Sequence, residues 1–180
     1  MQYRRAKHKG GCYFFTVNLA ECKQSLLTDH VDTLRNSIKR VQQEHPFRIE
    51  AIVILPDHLH NVWTLPPDDD DDYSTRWMLI KSAFSRQLPK HERVNPSRLK
   101  KRERGIWQRR YWEHLIRNDN DFARHIDYIH FNPVKHGYVN TPVEWPYSSL
   151  HRFIIRGVLN KDWGSEIGFD ESTAFGELRE

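Results

Sequence analysis

Hydrophobic and polar positions change period several times along the chain, and each change marks an element. From Gly10-Gly11 the run Cys12 to Leu19 is dense in aromatic and β-branched residues, which suit a pleated, packed surface, and it predicts a buried strand. Val31, Leu34, Ile38 and Val41 then recur at spacings of three and four, which predicts a helix capped by Thr28 or Asp29 and broken at Glu44-His45-Pro46. Two strands follow, from about Phe47 to Leu55 and from His58 to Leu65, joined as a hairpin through Pro56-Asp57. Beyond Pro66-Pro67 the acidic run Asp68 to Asp72 repels itself and is read as a solvated loop rather than a second metal site. Tyr73 to Leu88 reads as a helix with Trp77, Ile80, Lys81 and Phe84 along one side, and Ile106 to Ile116 as a last strand. A final helix starts at an Asn118 or Asp119 cap and carries Phe122, Ile126 and Ile129 on its apolar face. Asn132-Pro133 is expected to end or bend it, because proline disfavours helical geometry in the residue before it. The order of elements defines an α+β sandwich, an antiparallel sheet covered on one side by helices.

Composition adds limits. A chain of 180 residues has room for one core. We place that domain over residues 1–165, with a basic arm at 1–11 and a basic loop at 90–105, and read 166–180 as a polar tail. Hydrophobic residues make up 38%, with 6 Trp, 7 Tyr and 9 Phe, so a core is affordable despite a mean hydropathy of -0.79. No apolar stretch approaches the roughly 18 residues of a membrane span, and the start lacks a signal-peptide run, so no membrane is expected and the cytoplasm is the expected location. Cys12 and Cys22 are too few for a disulfide framework or zinc knuckle and are read as reduced thiols. The net charge of +4 and pI near 9.1 hint only mildly at a polyanionic partner. Distribution says more: between Arg86 and Arg110, eight cations from Lys90 to Arg109 face only Glu92 and Glu103, in what reads as a mobile loop.

Two short stretches carry candidate chemistry. In Leu55-Pro56-Asp57-His58-Leu59-His60-Asn61-Val62-Trp63 the histidines stand two apart on a predicted strand, so both imidazoles leave one face while Leu59 enters the core. Two such imidazoles make a metal half-site that needs a further ligand, and the plain alternative is a pair of surface histidines. On the last helix Tyr128 and Asn132 are four apart and share a face with His125, while Ile126 and Ile129 dock the helix from another side. Taken alone, a helical tyrosine is a packing residue and an asparagine before proline a cap.

Together these pieces resemble the REP-associated tyrosine transposases, a branch of the single-tyrosine HUH transposases. The resemblance runs from Tyr3 to about Trp163. It is carried by residues 10–18, by the stretch 55–63 just quoted, by 105–114, by 125–137 and by 145–149, matching in order, spacing and residue type. It implies a single-domain, ferredoxin-like HUH fold with a central antiparallel sheet covered by helices. The implied chemistry is cleavage and rejoining of single-stranded DNA with REP-type hairpins through a 5′-phosphotyrosine intermediate. Tyr128 would be the nucleophile, with His58 and His60 also catalytic as ligands, together with Asn132, of Mg2+ or Mn2+. Asparagine stands where some relatives have the longer glutamine. His125 is a candidate base by position.

Such a substrate needs cations for phosphates and aromatic faces for unpaired bases. Arg4, Arg5 and Lys7 of the arm, and Arg98, Lys100, Lys101, Arg104, Trp107 and Arg109 of the basic stretch, are the candidates. Trp112, Trp145 and Trp163 are read as packing residues. The resemblance leaves monomer and homodimer open: relatives that move whole insertion sequences act as domain-swapped dimers with tyrosine and histidines from different subunits, whereas REP-associated ones are more often monomers. The competing readings are a relaxase or replication initiator of the HUH kind, for whose second domain the chain has no room, and a non-catalytic binder of single-stranded or hairpin DNA.

Overall fold

The computed structural model describes residues 8–21, 25–68, 72–92 and 94–165. Strands β1 (Cys12–Asn18), β2 (Arg48–Ile54), β3 (His58–Thr64) and β4 (Trp112–Leu115) form one sheet in the order β2-β3-β1-β4, every neighbouring pair antiparallel. The helices are α1 (Leu26–Asp29), α2 (Val31–Glu44), α3 (Tyr73–Gln87), α4 (Pro96–Lys100), α5 (Asp119–Lys135) and α6 (Leu150–Ile155). No described helix is long and apolar enough to cross a membrane.

Helices cover both faces of the sheet, not one. Tyr13, Phe15 and Val17 of β1 and Leu59 and Trp63 of β3 face α2 and α3, in a core that includes Leu34, Ile38, Trp77, Ile80 and Phe84. Phe14 and Val62, on the opposite face, join Ala51 and Val53 of β2 beneath Ile126, Tyr128 and Ile129 of α5. The cause is visible in β1, whose Tyr13 to Asn18 are all buried: a central strand without polar alternation must have both faces covered.

Several boundaries differ from expectation. The N-cap of α2 is His30, while Asp29 ends the short α1 and accepts a hydrogen bond from Ser25 Oγ. The last strand shrinks to four residues; Trp107 instead makes an isolated bridge to Leu19. The basic loop is partly ordered, with α4 capped by Asn95, whose side chain accepts from Arg98 N at 2.9 Å. The arm residues Arg4, Arg5 and Lys7, Asp69 to Asp71, Cys22, and the tail 166–180 lie outside the described residues.

The most consequential difference is in α5. Its N-cap is Asn118, as the spacing suggests, but the helix runs through Pro133 to Lys135. Proline removes one donor, and the turn that follows is closed by a glycine instead. Gly137, at φ +69, donates to Val134 O at 2.9 Å and Tyr138 N donates to Pro133 O at 3.0 Å, so the chain reverses just after His136. Tyr128 and Asn132 thereby fall on successive turns of one continuous helix, and His136, its C-cap, follows four residues on.

Candidate active site on the β3 and α5 face

Because side chains alternate along β3, His58, His60 and Val62 emerge on the α5 side and Leu59 and Trp63 on the other. The structure brings the predicted residues together. The His60 ring meets Tyr128 edge-on at 5.2 Å between centroids, His58 meets His60 at 5.0 Å, and His58 meets His136 at 5.1 Å. Asn132 lies between Tyr128 and His136 on the same helical face and is fully buried, as is His60; His58 and Tyr128 keep 6% and 2% exposure.

Each imidazole is oriented through Nδ1. His58 Nδ1 lies 2.7 Å from Asp57 Oδ1, and His60 Nδ1 lies 2.8 Å from Thr16 Oγ1. An Nδ1–H held by a carboxylate leaves Nε2 with the lone pair, the arrangement usual for a metal-bound histidine. His58 Nε2 is buried and has no hydrogen-bond partner in the structure. A buried imidazole nitrogen without a donor is costly unless something fills the position, so the residues fit a divalent cation.

Lys135, not read from the sequence, is the group at the nucleophile. Its ammonium donates to Tyr128 Oη at 3.1 Å and lies 4.7 Å from the centre of the phenol ring. His125, the candidate base, is engaged elsewhere: Nδ1 contacts Asp121 O at 2.7 Å, and the ring stacks on His114 at 4.8 Å and against Phe14 at 4.7 Å. Burial holds its pKa below the ordinary histidine value. Three positions back on a helix puts it beside the tyrosine, toward β4.

His114, Asp121 and His125 form a second cluster, with one ligand atom from each within 4.8 Å of the others, a donor set able to hold a cation. Asp121 accepts from His114 Nε2 at 2.8 Å and from Arg117 N at 3.0 Å. Burial raises the Asp121 pKa, but these bonds and the nearby imidazoles prevail, and the net shift is downward. The cluster ties β4 to the first turn of α5 and so fixes the helix that carries Tyr128.

Of the proposed DNA contacts, several side chains have structural work. Trp107 is 6% exposed, with Nε1 donating to Ser85 Oγ at 3.1 Å and the ring against Phe84, so it offers no face to a base. Arg104 reaches the carbonyls that end α3, with bonds to Ser85 O, to Leu88 O at 2.8 Å and to Pro89 O at 2.6 Å. It also pairs with Glu92, whose pKa this hydrogen bonding lowers to about 2. Arg98 donates to Arg104 O at 3.0 Å and Trp107 O at 2.9 Å. Arg109 is exposed but paired with Glu103 at 2.8 Å, whereas Lys100 and Lys101 are exposed. We therefore expect Trp107→Ala to cost about 3–5 kcal/mol of stability, read as a lower thermal midpoint. Lys100→Ala with Lys101→Ala should leave that midpoint in place, weaken DNA binding and lower the salt slope by about 1 per lost contact.

A four-stranded antiparallel sheet with a histidine pair facing a helical tyrosine is the arrangement that the resemblance to the single-tyrosine HUH transposases leads one to expect. A profile of the family described as "Transposase IS200 like" matches residues 9–132. The chain is 51% identical over 163 residues to a Haemophilus influenzae protein assigned to the REP-associated tyrosine transposases, covering 90% of this chain and 92% of that one. It is 43% identical over 166 residues to the REP-associated tyrosine transposase of Escherichia coli K12, covering 92% of each. A solved structure of a REP-associated tyrosine transposase bound to a REP hairpin superposes with a TM-score of 0.82 at 41% identity, over 99% of this chain and 98% of that one. The chain belongs to the IS200-like transposase family, in its REP-associated tyrosine branch.

Proposed function

We propose that this protein cuts and rejoins single-stranded DNA bearing REP-type hairpins, with Tyr128 as the covalent nucleophile. The observation that carries the reading is the buried meeting of His58 and His60 with Tyr128, with Asn132 one helical turn beyond it. The similarity to a transposase solved with a REP hairpin supports the choice of substrate.

Tyr128 Oη attacks the scissile phosphorus, the bond to the 3′ oxygen breaks, and the strand is left with a 5′-phosphotyrosine link and a free 3′-hydroxyl. The phenolic proton passes to solvent and the departing oxygen takes one up. A 3′-hydroxyl from another end reverses the step, so rejoining needs no external energy source. A phenol has an ordinary pKa of about 10, and the Lys135 ammonium bonded to its oxygen favours the ionised form. Lys135 also covers the hydroxyl, and its flexible stem lets it turn to an arriving phosphate. His58, His60 and Asn132 would hold a divalent cation, magnesium or manganese, which would supply positive charge to the phosphate and to the leaving oxygen. Asp57 and Thr16 keep the two imidazoles aimed.

Incubating a hairpin-bearing single strand with the protein and Mg2+ or Mn2+ should give a covalent protein–DNA band on a denaturing gel. Hairpin binding without any such band would favour the non-catalytic reading. Lys135→Met should lower the cleavage rate about 10- to 1000-fold, with the loss shrinking as pH rises toward the phenol range. A loss equal at every pH would remove Lys135 from activation of the phenol.

A further inference from the structure

Tyr138 is a large aromatic residue left 43% exposed, beside the exposed His136 and Gly137 at the end of α5. It is not on a loose loop. The glycine turn that closes α5 fixes its backbone, and its ring stacks on His136 at 6.0 Å and on Trp145 at 5.3 Å, with planes 26° and 30° apart. Trp145 is the anchored end of this stack, because its indole N–H donates to Ile54 O at 3.0 Å, the last residue of β2 before the turn that leads to His58. The 3₁₀ turn before it, Pro142–Glu144, is held by the Glu144 carboxylate, which accepts from Asn140 N at 2.9 Å and Thr141 N at 3.1 Å. At the other end His136 touches His58.

We propose that the His136–Tyr138–Trp145 stack is a binding site for an unpaired nucleobase of the strand being cut, the base next to the scissile phosphate. The inference rests on the reading of Tyr128 as a DNA-cleaving nucleophile. Any phosphate delivered to Tyr128 carries a nucleotide on each side, and a base pulled from its neighbours needs a flat apolar surface within one residue of the site. The stack meets that need: it starts one ring from His58, its rings are held nearly parallel, and it is rigid before the ligand arrives. Lys135 and His136 put donors for the adjoining phosphate beside it. Stacking of this kind accepts every base, so the site contributes affinity and placement rather than a sequence code.

The test compares two hairpin oligonucleotides, one with a single-stranded flank across the cleavage position and one with that flank trimmed away. Tyr138→Ala should weaken binding of the flanked oligonucleotide about 5- to 150-fold and leave the trimmed one unchanged, and Tyr138→Phe should restore it. An unchanged affinity for the flanked strand, or equal losses on both, overturns the proposal. Independently of any variant, 2-aminopurine in the flank should be quenched on binding the wild-type protein. Emission that stays at the level of free DNA also overturns it. The covalent band, scored in the same samples, reports separately on Tyr128: its absence alongside flank-specific loss and quenching would reject the nucleophile and keep the base site.

Discussion

Replacing Tyr128 by Phe should abolish the covalent protein–DNA product while leaving a folded protein that still binds hairpin DNA. The substitution removes one oxygen. The ring keeps its contacts with His60 and Phe14 and its place over Ile126 and Ile129, because none of these uses the hydroxyl. The substitution loses the bond from Lys135, whose half-buried ammonium can turn to water, so the stability change should stay within about 1–2 kcal/mol. Catalysis has no such recourse, because attack on phosphorus requires that oxygen. Binding and cleavage should therefore separate cleanly: affinity within a few-fold of wild type by fluorescence anisotropy, and no band on the denaturing gel. A band of wild-type intensity would move the nucleophile to another side chain.

The second large effect concerns the histidine pair, and it should be graded. His58→Ala removes an imidazole whose Nε2 is buried without a partner, so it should eliminate metal-stimulated cleavage, and His60→Ala should do the same. Asp57→Ala leaves both imidazoles and removes only the carboxylate on His58 Nδ1, and it should raise the manganese concentration needed for half-maximal cleavage about 10- to 100-fold while saturating metal restores the rate. That gradation separates ligation from general disruption, since damage to the fold would not be repaired by more metal. Cleavage by the His58 and His60 variants at the wild-type rate, with the same metal requirement, would place the metal elsewhere, and among the described residues the His114, Asp121 and His125 cluster is an alternative.

Much of this site was legible in the chain because it depends on two short periods. Strand alternation alone sends His58 and His60 to one face and Leu59 to the other, and a spacing of four puts Tyr128 and Asn132 on one side of a helix. What could not be read depends on longer relations. Thr16 supports His60 only because β1 and β3 pair in the register that sets the two opposite each other. Lys135 and His136 reach the site because α5 continues past Pro133, where the local preference of a residue before proline points the other way; burial of Asn132 and Pro133 overrides it. The basic stretch misled for a different reason. A tryptophan among arginines looks like a base-stacking surface, but Trp107 closes the core against Phe84, and Arg98 and Arg104 donate to backbone carbonyl oxygens at the end of α3 and in the segments that follow. Charge density along a chain does not tell which guanidinium groups are already bonded within the fold.

The most direct measurement is peptide mapping of the covalent product. The protein is incubated with a hairpin-bearing single strand and manganese, the DNA is trimmed with nuclease, and the digest is sequenced by mass spectrometry. Trypsin should release the peptide from His125 to Lys135, and the account expects a nucleotide phosphate attached within it at Tyr128. Attachment to any other residue, or a strand cut without any protein-linked nucleotide, would contradict it.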